Sequence, residues 1–412
     1  MALLSASLVT GCGVVPAPDG GTPSTIEPFS GLDLDGDPNH DEIGRNGAFA
    51  IAEPVDLVAD EPFRVSGRIS DAADVDVFDI GPVLEGDRIV AEVFAAAGLE
   101  GAIAIFDGNA ESLLVNDSRN VYLGRIEPYV DVVLRRPSDH CYLAVSATPG
   151  SDSFGDYELV LFRAPGQQTL PRRPQVALLN FDGVDQLRLG TRTPVAVPPF
   201  DAASLSSRYA GQTEAMEAFI VAAVRQDYLG MNVVILSTSE GEVDDGTMTR
   251  INFGTYDPAL LGVAEGVDEF NERAVQDAIV FTDTFTVFER LSPGVSEMAQ
   301  ALANVASHEL GHLLGLVHTS DVRDIMDVTA GLGELLADQQ FATAPLEQQV
   351  FPLGHQNSPQ YLYDVVGGDL DLINQVAAIH KAAVVRARSI DVLEARRQRR
   401  GLVFGSCGLH PR

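Results

Sequence analysis

The run His308-Glu309-Leu310-Gly311-His312-Leu313-Leu314-Gly315-Leu316-Val317-His318 constrains this chain more than any other stretch. On an α-helix, His308 and His312 stand four residues apart and project from one face. Two imidazoles placed this way can each give a nitrogen to a single zinc ion. Glu309 is not needed as a ligand; beside the metal, it can accept a proton from zinc-bound water. Gly315 lets the helix end and the chain turn back, because glycine takes positive φ without a Cβ clash. That turn can bring His318 round as the third ligand. Three protein ligands leave a fourth position open for water, the arrangement of a catalytic rather than a structural zinc site.

Met326 follows in Asp324-Ile325-Met326-Asp327. Every fixed position of H-E-x-x-H-x-x-G-x-x-H is present, and with the methionine the chain resembles the metzincin metallopeptidases. His-Glu-x-x-His alone also arises by chance, and a lone methionine is ordinary core packing. The glycine, the third histidine and the placing of Met326 together outweigh that reading. The resemblance implies a small α/β domain with a twisted mixed sheet above the zinc helix. It also makes Met326 a hydrophobic floor under the histidines, and it implies an edge strand that pairs with an extended peptide substrate. Thr319 after the third histidine and the lack of a tyrosine soon after Met326 leave the subfamily unassigned. Cys12 and Cys141 lack a Pro-Arg-Cys-Gly context, so latency by a cysteine switch is not expected.

Around the motif, Val176 to Phe181, Asn232 to Ser237, Arg250 to Gly254 and Ala278 to Asp283 read as strands. Glu214 to Leu229 repeats apolar residues at helical spacing, with Gly230 as its C-cap. The motif helix is expected to start with Ser296 as N-cap and Glu297 in its first turn. Met298, Leu302, Val305, Leu313 and Leu314 would form its buried side. Leu261 to Glu265 with Asp268, and Phe351 to Pro359, read as loops; His355 is not needed as a ligand. Leu370 to Arg400 reads as a helix with a basic end, a solvated tail.

Upstream, short runs alternate with period two: Phe63 to Gly67, Asp74 to Ile80, Arg88 to Val93, Ile103 to Phe106, Tyr129 to Val133, Cys141 to Val145 and Tyr157 to Leu161. Such strands spaced by turns predict an antiparallel β-sandwich, one face of each strand toward a core and the other toward water. The order of Gly67-Arg68-Ile69-Ser70, Asp74-Val75-Asp76-Val77-Phe78, Ala102-Ile103-Ala104-Ile105-Phe106-Asp107, Asn116-Asp117 and Gly155-Asp156-Tyr157-Glu158-Leu159 resembles the bacterial pre-peptidase C-terminal domain. Cys141 reads as a small core residue, with pairing to Cys407 as the alternative.

The fold class expected is therefore multidomain: an antiparallel β-sandwich, then an α/β metzincin-like catalytic domain, then a C-terminal helix. The boundaries are 1–12 a lipoprotein signal, 13–44 an acidic tether, 45–165 the sandwich, 166–174 a linker, 175–366 the peptidase and 367–412 the helix and tail. A net charge of -32 argues against nucleic acid as a partner. Hydrophobic content of 45% supplies sizeable cores. No stretch approaches the roughly 20 apolar residues that span a membrane. Val9-Thr10-Gly11-Cys12 resembles a bacterial lipobox, although a charged n-region is missing and the apolar run is short. A start codon placed too far downstream would account for both. Cys12 is thus the expected lipidation site, the only membrane attachment foreseen, and the protein an extracytoplasmic lipoprotein or secreted. Calcium is a second cation to consider, at Asp33 to Asn39 and near Asp268, although position twelve of an EF-hand loop would be Gly44. A solvated linker and a plain loop are the readings adopted there. The expected activity is zinc-dependent endopeptidase action on protein or peptide, with the oligomeric state open. The alternatives are a surface binding lipoprotein with an inactive or latent peptidase domain, and a zinc hydrolase acting on a non-peptide substrate.

Overall fold

The computed structural model describes residues 39–96, 98–116, 127–190 and 192–378. The lipobox with Cys12, the tether acids 33–38, Cys407 and the helix beyond residue 378 lie outside the described residues.

Two five-stranded sheets make up the N-terminal unit. The first runs His40–Asp41, Phe63–Ile69, Gly155–Ala164, Arg88–Ala95, Tyr129–Val133. The second runs Glu53–Pro54, Val75–Asp79, Cys141–Ala147, Gly101–Asp107, Ser112–Asn116. All seven expected strands are present, and His40–Asp41, Glu53–Pro54 and Ser112–Asn116 are added to them. Alternate residues of the two sheets meet in one core: Val65, Ile89, Val93 and Leu159 from the first, Phe78, Ile103, Ile105 and Leu143 from the second. Cys141 lies in this core with no disulfide partner among the described residues, and burial pushes its thiol up to about 12.

The second sheet corrects one expectation: its outer face does not meet water. Every residue of Gly101–Asp107 and of Cys141–Ala147 is buried. The outward set Val75, Val77, Ala102, Ala104, Phe106, Tyr142 and Ala144 clusters with Leu346, Val350 and Phe351 from far along the chain. Near-continuous apolar runs are what a sheet covered on both sides requires. That signal was present in Ala102-Ile103-Ala104-Ile105-Phe106.

Asp76 links the sheets, since the Tyr157 hydroxyl donates to its carboxylate at 2.8 Å. Burial pushes Asp76 from 3.8 up to about 8. The folded chain then holds a proton that the unfolded chain releases. The stability this group contributes is full below 3.8 and is lost as pH rises through about 8. Asp76→Asn should therefore reduce the fall in urea midpoint between about pH 5 and pH 8.5. Equal slopes in variant and parent would refute this account of Asp76.

The second unit is built on the sheet Val233–Ser237, Gln175–Asn180, Thr249–Phe253, Asp277–Val280, Gly262–Ala264. The first four strands are parallel, and Gly262–Ala264 runs antiparallel at the edge. The stretch read as a loop at 261–265 is thus an edge strand, too short to show a period. Strand alternation divides the sheet's two sides. Ala278 and Val280 face the helices Thr213–Asp227 and Val295–Leu313, in a core with Met216, Ile220, Leu302 and Leu310. Ile279 and Phe281 face a hairpin, Val184–Leu187 with Val195–Val197, that the sequence reading missed.

The motif helix starts two residues earlier than expected. Gly294 is its N-cap and its backbone N–H donates to Glu297 Oε2 at 2.7 Å, so Glu297, not Ser296, marks the start. From Met298 onward every helix residue except Gln300 is buried. Alanines at 299, 301, 303 and 306 allow the all-round packing, beyond the single face expected. His355 to Asn357, expected as loop, is a strand paired with Thr343–Pro345, and the helix Ser358–Val366 follows.

Candidate metal centre

The motif helix ends at Leu313, with Leu314 as its cap. Gly315 follows at φ 97, and the Leu316 N–H reaches back to the Gly311 carbonyl at 2.9 Å. A Cβ on Gly315 would lie 2.5 Å from the Tyr361 hydroxyl, 2.8 Å from Glu269 Cα and 2.9 Å from the Asp268 carbonyl. Both the dihedral and the space therefore demand glycine. The loop it touches caps the helix end: the Asp268 N–H donates to the His312 carbonyl at 3.0 Å, and Gln276 Nε2 to that of Leu313 at 3.1 Å.

The reversal brings His318 against the helix. His312 Nε2 lies 3.1 Å from His308 Nε2 and 3.0 Å from His318 Nε2. All three rings are buried. Burial pushes His308 down to about 4 and His312 to about 3, and it holds His318 well below its ordinary value, so the rings are neutral. His308 Nδ1 donates to the Ile325 carbonyl at 2.7 Å, and His312 Nδ1 to that of Leu316 at 2.8 Å. Those bonds select the tautomers of His308 and His312, leaving the Nε2 lone pairs of these two rings aimed at one another. Lone pairs meeting this closely repel unless a cation lies between them. Tetrahedral ligands about 2.0–2.1 Å from one zinc stand roughly 3.3 Å apart. The donor set fits that ion.

Glu309 points from the same helix toward the edge strand, and it is 3% exposed. A Cβ on Gly262 would lie 2.5 Å from its Oε1 and 2.7 Å from Val305 Cγ1, so only glycine admits the carboxylate there. Burial pushes Glu309 up to about 8; the Ala264 N–H and the Arg192 cation oppose the rise. Met326 is fully buried beneath the helix. A Cβ on Gly311 would come within 2.7 Å of its sulfur, so that glycine makes room for the thioether.

Several supporting residues were not legible in the sequence. The Thr319 hydroxyl donates to Asp324 Oδ2 at 2.7 Å, and its N–H donates to the Met326 carbonyl at 2.9 Å. Asp324 is fully buried and also accepts from the Ala342 N–H at 3.1 Å. Thr319, a departure from the best-known subfamilies, thus ties the third-histidine segment to the methionine turn. The carbonyls of Ile325 and Leu316 carry no side-chain signature, and no pattern could have flagged them.

Among the described residues, the three histidines are the one group of three or more His, Cys, Asp or Glu side chains whose ligand atoms lie within 4.8 Å of one another. Calcium, considered near Asp268 as a second cation, finds no support. Its carboxylate accepts from the N–H groups of Glu272 and Arg273, both at 2.9 Å, and from Gln276 Nε2 at 3.0 Å. His355 is exposed, outside this group.

Residues 212–337 match the family model of the matrixin peptidases. A segment of 102 residues is 35% identical to Metalloendoproteinase 1-MMP of Arabidopsis thaliana. The match covers 22% of this chain and 27% of that relative's length. Partial overlaps occur with solved structures. An archaemetzincin from Methanopyrus kandleri overlaps at 17% identity and TM-score 0.25, over 42% of this chain and 92% of that one. The pre-peptidase C-terminal domain of a Bacillus anthracis collagenase does so at 15% identity and TM-score 0.21, over 26% and 93%. The matched segment contains the whole histidine motif, and over residues 212–337 the chain is similar to the matrixin peptidases.

Proposed function

We propose that this protein is a zinc-dependent endopeptidase, with His308, His312 and His318 as metal ligands and Glu309 as general base. The observation that carries the reading is the convergence of three buried histidine Nε2 atoms beside the buried Glu309 side chain. Zinc bound there would polarise a peptide carbonyl and acidify water. A cation held by the histidines would lower the raised pKa of Glu309, which could then take the proton of the attacking water and deliver it to the leaving amine. The Ala264 N–H orients that carboxylate, and the Ile325 and Leu316 carbonyls hold the first two rings. Met326 forms the floor. An extended peptide would add to the edge strand Gly262–Ala264, where backbone bonds accept varied sequences.

In this reading residues 45–165 are a β-sandwich accessory domain and 175–366 the peptidase. An extracytoplasmic location, secreted or lipid-anchored at Cys12, belongs to the proposal, supported by the lipobox-like run. The test is cleavage of unfolded casein by the full chain, with zinc counted on the same sample before and after chelation. About one zinc per chain, with cleavage lost on chelation and restored by zinc, is the expected result. Folded protein that takes up no zinc would sink the reading.

A further inference from the structure

We infer that Gln356, and through its hairpin the N-terminal sheet, positions the third histidine, so that both units build one metal centre. The inference rests on the metal-binding reading above. His308 and His312 each have a carbonyl to hold the ring; among the described residues His318 has none. Its place is set through the backbone instead. The Val317 N–H donates to Gln356 Oε1 at 2.8 Å, and Gln356 Nε2 donates back to the Val317 carbonyl at 2.9 Å. One side-chain amide thus does what a neighbouring strand would do. The Glu347 N–H donates to the His318 carbonyl at 3.0 Å, and the Ser320 N–H to that of Pro345 at 3.0 Å.

All these partners belong to one stretch, residues 343–357, closed by the pairing of Thr343–Pro345 with His355–Asn357. Its far side is held by the N-terminal unit. The His355 N–H donates to the Ala110 carbonyl at 3.0 Å, and Asn357 Nδ2 to Glu111 Oε1 at 2.9 Å. Phe351 packs on Phe106 with ring centroids 5.8 Å apart, while Leu346 and Val350 cover the sheet's outer face. The approach is close: a Cβ on Gly354 would fall 2.2 Å from the Phe106 ring. A stretch pinned on both sides presents His318 already ordered. Unpinned, each binding event would bear the entropy of ordering it. Gln356 is therefore a positioning residue, and Phe106 anchors the hairpin that carries it.

The test uses the full chain and the metals alone, Zn2+ and Co2+. Affinity is read by competition with a chromophoric chelator, and ligand geometry by the visible spectrum of the Co2+ form, well below the melting temperature. Gln356→Ala should weaken both metals by about tenfold to a hundredfold and change the Co2+ spectrum. Phe106→Ala should move both readouts in the same direction. Gln175→Ala is the control: that amide is equally buried but bonds Thr249 and Ala274, away from the hairpin. It should cost stability and leave affinity unchanged. Should Gln356→Ala not fold, Gln356→Met keeps the length of the side chain and removes both bonds to Val317, and it carries the same expectation. Wild-type affinity and spectrum in a folded Gln356 variant would overturn the inference. Loss in the Gln356 variant with none in Phe106→Ala would overturn the part played by the N-terminal sheet. A wild-type chain that binds neither metal would overturn the metal-binding reading itself, a failure visible before any variant is made.

Discussion

Glu309→Gln is expected to lower peptide hydrolysis by about a hundredfold to ten-thousandfold, the usual contribution of a positioned general base. Bound zinc should stay near one per chain. Glutamine keeps the volume admitted by Gly262 and an oxygen that can accept from the Ala264 N–H, so the edge strand and helix need not move. It cannot take a proton from water. The deficit should fall on kcat rather than KM, because an extended peptide would be held by backbone bonds that the substitution leaves intact. Zinc content, kcat and KM on one preparation check this. Wild-type turnover would remove Glu309 from the mechanism. Loss of zinc along with activity would instead make it part of the metal's support.

Gly315→Ala is expected to be the most destabilising small substitution at the centre. The new methyl group meets the Tyr361 hydroxyl at 2.5 Å and backbone atoms of Asp268 and Glu269 within 2.9 Å, at φ 97. Backbone cannot yield as a flexible side chain can, and positive φ adds its own strain. A loss of about 3 kcal/mol is the order of magnitude for strain plus overpacking at one site. The chain can relieve the clash only by opening the reversal, which carries His318 away from His312. Zinc affinity should therefore fall with stability, and saturating zinc should restore less of the urea midpoint than in the parent. Gly333→Ala, where nothing lies within 4 Å of an added Cβ, is the matched control and should be near neutral. An unchanged urea midpoint in Gly315→Ala would mean that the turn is not as tight as drawn.

The motif helix and its spacing were legible because each demand is local. His308 and His312 share a face through helical periodicity, and the need for a reversal is written into Gly315. Seven strands of the first unit were legible for the same reason, as period-two runs between turn residues, and four strands of the second unit's sheet as short runs of apolar residues. The errors are equally physical. Gly262–Ala264 has three residues and cannot display a period, yet it flanks Glu309. Ser296 looked like an N-cap by residue type, but Glu297 reaching back to the Gly294 N–H moved the start.

By itself, then, the sequence determined which side chains could serve as ligands and base, and most of the segments that are helix or strand. Only the tertiary structure decided how those groups are held: which carbonyls orient His308 and His312, and which strand is the edge beside Glu309. It also decided that an outer sheet face is covered by the hairpin holding His318. The reason is that side-chain periodicity encodes local conformation, whereas a backbone carbonyl is the same in every residue. Its role as a partner appears only when segments distant in sequence are packed together.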